Sequence, residues 1–335
     1  MLLFGGESSE HAVSISSARN VFAALDDTKY DVILGYIDKE GQWWLLENMS
    51  DPIDITGASK LLPMLGVGSF TTIPSNETVK PDVILPILHG VNCEDGKIQG
   101  LAHLMHIPIV GSGVEASAVC MDKVTTKQIL EHSDIKTTPF EVHLSDSPYS
   151  SFHQLSEKLG SPLFVKPANE GSSVGISKAS NDEELSSALT EAHKYDKKVL
   201  IEKTIKGREL EVGVLGSGAR VRESGVGEIV PDRDFYDYDS KYDPTSQTKV
   251  IIPADLPPET IEKIRSITKN AYAVLGCEGL ARIDFLLSED NEIYLNEVNT
   301  LPGFTNISMY PKLWRQEGMT YSALIDALIS DALEK

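Results

Sequence analysis

Two tripeptides near the C-terminal end carry the side chains with the most chemistry to offer, Arg282-Ile283-Asp284 and Glu297-Val298-Asn299. Between them run an apolar segment, Phe285 to Leu287, a polar turn, Ser288-Glu289-Asp290-Asn291, and the alternating run Glu292-Ile293-Tyr294-Leu295-Asn296. That pattern predicts a β-hairpin. Side chains alternate faces along a strand, so Arg282 shares a face with Asp284, and Glu297 with Asn299. If both pairs face the same way, one cation, two carboxylates and an amide converge. Hard oxygen donors in a small cluster suit Mg²⁺, which is usually held by one or two carboxylates together with substrate phosphates. An edge hairpin with a solvated polar face would show the same pattern. What favours a site is Thr300-Leu301-Pro302-Gly303-Phe304-Thr305, which ends the second strand with turn chemistry and a backbone able to approach a ligand closely.

The elements that must position this hairpin are spread along 335 residues, enough for two or three domains. Leu2 to Phe4 and then Gly5-Gly6-Glu7-Ser8-Ser9-Glu10 read as strand, glycine turn and helix start, with Ser8 or Ser9 as cap. Ile15, Ala18, Phe22 and Leu25 follow at helical spacing. Residues 31–37 and 82–88 predict further strands, the latter ending in His89-Gly90. Strands alternating with helices imply a parallel sheet with ligands beyond the carboxyl ends of its strands, which is where Glu10 and His89 fall. Taken singly, each is as readily a surface carboxylate or a capping histidine. Gly111-Ser112-Gly113-Val114-Glu115-Ala116 matches the dinucleotide fingerprint G-x-G-x-x-A, with Glu131 or Asp134 for the ribose. Its place, a third of the way along instead of in the first βα unit, favours a linker into the helix carrying Met121-Asp122-Lys123.

From about Thr138 the pattern changes. Leu163 to Pro167, then Glu170-Gly171-Ser172-Ser173-Val174-Gly175-Ile176, reads as strand, Gly/Ser loop, strand. Such a loop offers backbone N–H groups and hydroxyls to phosphates and can close as a lid, with Lys166 as a fixed charge on the strand before it. A plain hairpin turn would read alike, and no Walker A motif, G-x-x-x-x-G-K-[ST], occurs. A polar helix at 182–194 precedes two strands, Lys198-Val199-Leu200-Ile201-Glu202 and Gly207-Arg208-Glu209-Leu210-Glu211-Val212. An apolar strand ending in Glu202-Lys203 could offer backbone groups to an adenine edge, and Glu209 could accept from ribose hydroxyls, though the residues alone do not single out that ligand. Residues 232–248 form a long segment dense in aromatics and charges, including Phe235, Tyr236, Tyr238, Lys241 and Tyr242, a composition that suits a lid or binding loop. A helix at 257–275, the hairpin, and an amphipathic helix over Tyr321 to Leu333 complete the chain, without internal repeats or low-complexity segments.

Composition narrows the function classes. Hydrophobic residues make up 41% and charged residues 24%, ordinary values for a soluble protein, and no apolar run nears the roughly 20 residues that span a bilayer. A net charge of −20 argues against a nucleic-acid partner, since phosphate backbones are bound by clustered Lys and Arg. Anionic small molecules need only local cations. The three cysteines, Cys93, Cys120 and Cys277, are dispersed, which fits a reducing compartment and neither a disulfide framework nor a zinc knuckle. The N-terminus is too short in apolar residues for a signal peptide, so a cytoplasmic location is expected, and the brevity of the first strand suggests that a few residues precede it.

Eight segments in order, GGESSEHAVS, HGVNCEDGKIQG, VGSGVEASAVCMDK, PLFVKPANEGSSVG, LIEKTIKGRE, FYDYDSKY, ARIDF and NEVNTLPGFTNISMYPKLW, give the chain a resemblance to the D-alanine–D-alanine ligases of the ATP-grasp superfamily. The resemblance implies an α/β fold with three domains. These are a Rossmann-like N-terminal domain (1–113), a central ATP-grasp domain (114–203) and a C-terminal ATP-grasp domain with the metal and catalytic residues (204–335). It also implies that Lys123 and Lys166 contact ATP phosphates, that Glu170, Gly171, Ser172, Ser173 and Val174 cover them, that Glu202, Lys203 and Ile205 frame the adenine, and that Glu209 binds ribose. Phe235, Lys241, Asn296 and Glu297 belong to the same ATP site by resemblance. Asp284, Glu297 and Asn299 would hold two Mg²⁺, with Mn²⁺ as the alternative metal. Glu10 would take the ammonium of the first D-alanine with His89 nearby, Ser172 and Tyr242 would close over the substrates, and Lys241 would reach the transferred phosphate. Arg282 and the Gly303 backbone would stabilise the oxyanion, and Ser308 with the Met309 backbone would bind the second carboxylate.

The implied reaction is an ATP-dependent ligation through an acyl phosphate, serving bacterial peptidoglycan synthesis, in a homodimer. Cys93 stands where the family pattern HGxxGEDG usually has glycine, which puts the geometry beside His89 in question, and Met309 stands where some members have leucine. Within the family the alternatives are a D-serine or D-lactate acceptor; Tyr242 speaks against lactate, since lactate-using members carry phenylalanine there. Outside it stand a nicotinamide-binding Rossmann protein using GSGVEA, which predicts NADH binding without Mg²⁺, and a non-catalytic nucleotide-binding regulator, which requires a broken set of site residues.

Overall fold

Strand β1 (Leu2–Gly5) is buried throughout and ends at Gly5, whose backbone lies in the left-handed region. A side chain there would meet the Ile37 carbonyl oxygen at 2.0 Å, so only glycine lets β1 turn into helix α1 (His11–Ala24). The N-cap of α1 is Glu10, without a side-chain cap bond. The expected cap from Ser8 or Ser9 does not form; the Ser8 Oγ instead donates to the His89 carbonyl at 2.6 Å and ties the helix start to the next parallel strand. Ser14 continues that tie, accepting from Gly5 N and donating to the Ile87 carbonyl. The structure is a computed structural model and describes residues 1–171, 174–231 and 248–335.

After α1 come β2 (Leu34–Ile37), β3 (Trp43–Leu46), β4 (Ser59–Met64), β5 (Ser69–Ile73), β6 (Thr78–Val79) and β7 (Leu85–Leu88). They form one seven-stranded sheet in the order β6-β5-β4-β3-β2-β1-β7. The expectation of a parallel sheet holds for β1 with β2 and β7. Strands β3 to β6 add an antiparallel extension instead. The reason is loop length: the 38–42 turn is too short for a helical crossover. It is set by Asp38, whose carboxylate accepts from Glu40 N, Gln42 N and the Trp44 indole.

Helices α2 (Lys97–Met105), α3 (Val114–Met121) and α4 (Lys123–His132) lead to β8 (Phe140–Leu144), α5 (Phe152–Leu159), β9 (Leu163–Pro167), β10 (Ser177–Ala179), α6 (Asp182–Ala192) and β11 (Lys198–Lys203). Asp122 caps α4 by accepting from Val124 N and Thr125 N. The four strands make an antiparallel sheet, β10-β9-β11-β8, backed by Leu155, Leu185 and Leu189 of α5 and α6. The third sheet, β14-β13-β12-β15-β16, is built from β12 (Gly207–Leu215), β13 (Arg222–Val230), β14 (Lys249–Ile251), β15 (Leu280–Ser288) and β16 (Ile293–Asn299). One face packs on α7 (Pro258–Val274), and Ala116 and Cys120 of α3 and Leu130 of α4 join that core. Helix α8 (Met309–Gln316) follows the hairpin, and α9 (Tyr321–Leu333) returns to pack Leu324, Ile325 and Leu328 into the core beneath α1, β1 and β7. Among the described residues no helix is long and apolar enough to cross a membrane.

Candidate active site

The hairpin forms as its pattern predicts, and its register decides what it presents. Glu211 on β12 pairs with Asp284 on β15, and Asp284 pairs with Glu297 on β16, so three carboxylates stand in one row across adjacent strands. The next row holds Gly213, Arg282 and Asn299. A β-bulge between Asp284 and Phe285 brings Glu297 opposite Asp284: Phe285 pairs with Leu295, and Asn296 is the extra residue. The alternate residues Ile283, Phe285, Ile293, Leu295 and Val298 face the core.

Three like charges in one row require a cation, and Arg282 supplies it. Its Nε and Nη2 donate to the two Asp284 oxygens, both at 2.7 Å, and Nε lies 3.0 Å from Glu211 Oε2. Asn299 Nδ2 donates to Asp284 Oδ2 at 3.1 Å. Burial works against the guanidinium charge, but Asp284 and Glu211 outweigh it and hold Arg282 still more firmly protonated than usual. Among the described residues no three His, Cys, Asp or Glu side chains are already gathered as a metal centre. Asp284 is turned toward Arg282 and Asn299, yet the donor set of carboxylates and an amide is the kind Mg²⁺ takes.

Two cavities meet at this row. One, of about 710 Å³, lies between the four-stranded and five-stranded sheets. Phe164, Lys166, Glu202 and Lys203 line it from one side, Glu209, Glu228, Asp284, Leu286, Asn296 and Glu297 from the other. Ile205 lies in the connection at its rim. Lys123, the first residue of α4, donates from Nζ to the Glu170 carbonyl at 2.5 Å, anchoring the start of the Gly/Ser loop. Burial pushes the Lys123 ammonium below the ordinary lysine range, against the pull of Glu297. At the floor, Glu202 lies between two ammonium groups, Lys166 at 2.7 Å and Lys127 at 3.0 Å. Burial disfavours the Glu202 carboxylate, but Lys127 and Lys166 reverse the balance and hold it below the usual carboxylate range.

The second cavity, of about 590 Å³, lies toward the N-terminal sheet. Glu10, His89, Glu94, Gly171, Arg282, Asn299, Gly303, Ser308 and Met309 line it, and Lys123, Glu170 and Glu297 border both cavities. The Gly171 backbone passes so close to Glu10 that an added Cβ would sit 3.3 Å from the carboxylate. His89 Nδ1 donates to the Leu301 carbonyl at 3.2 Å and lies 3.8 Å from Glu94 Oε1. Burial opposes the imidazolium, but Glu94 and Glu10 more than compensate and raise the His89 pKa. Burial in turn raises the Glu94 carboxyl. Ser308 is the N-cap of α8, yet its Oγ serves the turn before it, accepting from Thr305 N. The N-terminus of α8 thus has no side-chain cap, and its first residues, Ser308 and Met309, line the cavity, an arrangement that suits an anion.

The candidates thus come from three sheets and still share two adjoining cavities. Ser172, Ser173, Phe235, Lys241 and Tyr242 lie outside the described residues; Val174 follows the loop, its N–H donating to the Gly171 carbonyl. Three lining or supporting residues were not singled out from sequence. Glu211 alternates with Glu209, Glu94 stands in the CEDG segment, and Lys127 lies one helical turn after Lys123. Cys93 fits without strain: the left-handed residue of that turn is Asn92, and the Cys93 thiol packs beside Gly6. Burial raises its pKa, leaving an inert thiol. GSGVEA is a packing junction, where a Cβ on Gly279 would stand 2.9 Å from the Gly111 backbone, and Glu131 accepts from Thr137.

Comparison with known proteins agrees with this arrangement. Family models described as "D-ala D-ala ligase N-terminus" and "D-ala D-ala ligase C-terminus" match residues 1–112 and 129–330. The chain is 46% identical over 347 aligned positions to D-alanine--D-alanine ligase A of Chromobacterium violaceum, covering 100% of this chain and 94% of that one. Among solved structures it resembles the D-alanine-D-alanine ligase from Coxiella burnetii, with a TM-score of 0.89, 33% identity, and coverage of 99% and 93%. It also resembles the VanG D-Ala:D-Ser ligase from Enterococcus faecalis, with a TM-score of 0.86, 32% identity, and coverage of 99% and 98%. With both domain models and a full-length relative in agreement, the chain belongs to the D-alanine–D-alanine ligase family.

Proposed function

We propose that this enzyme joins two D-alanines at the expense of ATP, through an acyl phosphate. The observation that carries the reading is the junction itself: two adjoining cavities, of about 710 and 590 Å³, meet at Lys123, Arg282 and Glu297. In this reading Lys123 and Lys166 hold the phosphates, Glu202 to Ile205 the base and Glu209 the ribose. Glu10 takes the ammonium of the first D-alanine beside His89. Its carboxylate then faces the γ-phosphate across the junction. The amine of the second D-alanine, whose carboxylate docks at Ser308 and the α8 amides, attacks the acyl phosphate, and phosphate leaves.

Asp284, Glu297 and Asn299 would hold Mg²⁺, whose charge would offset that of the phosphoryl group in flight. Arg282 and the Gly303 amide face the reacting carbonyl, where losing one such donor typically lowers the rate ~10²–10³-fold. The loop from Glu170, with the segment carrying Lys241 and Tyr242, excludes water that would otherwise hydrolyse the acyl phosphate. The domain limits 1–113, 114–203 and 204–335, a homodimeric state and a cytoplasmic location belong to the same proposal.

The test is phosphate release from Mg-ATP with D-alanine alone and with added D-serine or D-lactate, products identified by mass. Release with D-alanine alone and a product of alanyl-alanine mass is expected. A small pocket rejects an added hydroxyl poorly, so mixed products would move the question to the acceptor subsite. ATP binding without stimulation by any D-amino acid would overturn the substrate reading.

A further inference from the structure

Lys127 is 1% exposed, lines neither cavity, and yet keeps an ammonium group at the floor of the nucleotide cavity. Its Nζ stands 3.0 Å from Glu202 Oε1, over the Phe140 ring, and donates to the Thr138 carbonyl at 3.4 Å. Lys166 Nζ takes the other carboxylate oxygen at 2.7 Å. Two ammonium groups against one carboxylate leave one net positive charge in a dry site. Packing alone does not demand an ammonium group here, since a methionine fills similar volume, although taking one partner from a buried ion cluster lowers stability. Each Glu202 oxygen therefore meets its own ammonium group, Oε1 that of Lys127 and Oε2 that of Lys166. Thr138 Oγ1, from a residue that lines the same cavity, has no hydrogen-bond partner among the described residues. The floor is arranged for charge.

We infer that Lys127 is a positioning residue for nucleotide binding: by offsetting Glu202 it leaves the charge of Lys166 available to the phosphates and fixes the carboxylate beside the base. This rests on the ATP reading above. Without Lys127 the Glu202 carboxylate pairs wholly with Lys166, and the floor presents no net charge to an anionic ligand. A space-filling role for Lys127 predicts no such dependence on Glu202.

The test is calorimetric titration of Mg-ATP, alongside D-alanine-dependent phosphate release, for the unaltered enzyme, Lys127→Met, Lys127→Arg, Glu202→Gln and the double variant Lys127→Met/Glu202→Gln. Losing a charge-assisted contact of this kind is expected to weaken Mg-ATP binding about 10- to 100-fold in Lys127→Met. KM for ATP should rise in parallel while kcat at saturating ATP stays within roughly threefold. Lys127→Arg keeps the charge and should stay near the unaltered Kd. In the double variant Lys166 is no longer sequestered, so binding should recover by at least about fivefold relative to Lys127→Met. Should Lys127→Met fail to fold, Glu202→Gln and the double variant still decide, because removing Lys127 should then cost little affinity. Equal Mg-ATP affinity in Lys127→Met and the unaltered enzyme, or a double variant no better than Lys127→Met, overturns this inference alone. An unaltered enzyme that binds no Mg-ATP overturns the inference together with the ATP reading.

Discussion

Replacing Arg282 by alanine should reveal how much of the site's order rests on one cation. Arg282 is the group placed between Glu211 and Asp284, and its removal leaves Glu211, Asp284 and Glu297 as directly paired neighbours on three strands. Paired residues on adjacent strands stand ~5 Å apart. At that separation, with an effective dielectric of ~20, two carboxylates repel by ~3 kcal/mol. Asp284 has such a neighbour on each side. A proton taken up by one carboxylate caps the penalty, and breaking a buried pair typically costs ~3–5 kcal/mol. Against a total stability of ~5–15 kcal/mol, the variant should fold but melt roughly 5–15 °C lower at pH 7.5. The sign with pH is distinctive. A carboxyl whose folded pKa is raised above its unfolded value destabilises the fold at high pH, and that penalty disappears as pH falls through the folded value. Arg282→Ala should therefore gain stability relative to the unaltered enzyme between about pH 8 and pH 5, and Mg²⁺ should restore part of it at pH 7.5. Differential scanning fluorimetry over that pH range, with and without Mg²⁺, reads both effects. A melting difference that is flat with pH and indifferent to Mg²⁺ would refute the reasoning. Turnover should fall ~10²–10³-fold, the loss typical of one oxyanion donor.

Two other perturbations probe neighbouring parts. For Glu94→Gln the pH sign runs the other way: the raised His89 contributes stability that is complete below its unfolded value near 6.5 and lost as pH rises through the folded value. Urea unfolding should show a larger loss for Glu94→Gln at pH 6 than at pH 8.5; equal losses would remove His89–Glu94 as a charged pair. Deleting Asn296 should leave the site pairs in place, because Asn296 is the extra residue and the regular ladder that results still sets Glu297 opposite Asp284, Val298 opposite Ile283 and Asn299 opposite Arg282. The deletion variant should melt within ~5 °C of the unaltered enzyme and still bind Mg²⁺, read by scanning fluorimetry with and without the metal, and a larger loss or indifference to Mg²⁺ would show that the bulge sets the site through its local twist and not through pairing alone.

What the sequence made legible was whatever depends on a short stretch. The hairpin, the strand from Leu163 and the turn chemistry after Asn299 follow from local pattern, whereas the cap expected at Ser8 or Ser9 does not form. The antiparallel extension of the first sheet did not, because β3 to β6 are short and half-exposed and their boundaries lie in turns such as the one Asp38 organises. Glu211, Glu94 and Lys127 were passed over for another reason. Each takes its meaning from a partner far along the chain, Arg282, His89 and Glu202 respectively, with the nearest motif residue offering only a hint of shared face.

The bulge at Asn296 shows how such long-range meaning can still leave a local trace. Strict alternation in a regular ladder continues the pairing of Phe285 with Leu295 into Asp284 with Asn296, and it puts Glu297 on the core face beside Ile293 and Leu295. The carboxylates of the two tripeptides would then point to opposite sides of the sheet. In the sequence, however, the apolar positions that join the core run Ile293, Leu295, Val298, a spacing of two and then three. A strand cannot bury that series on one face without an extra residue between Leu295 and Val298. The phase slip moves Glu297 and Asn299 onto the face of Arg282 and Asp284, so the apolar residues on the far side of the sheet determine that four polar side chains meet in the cleft.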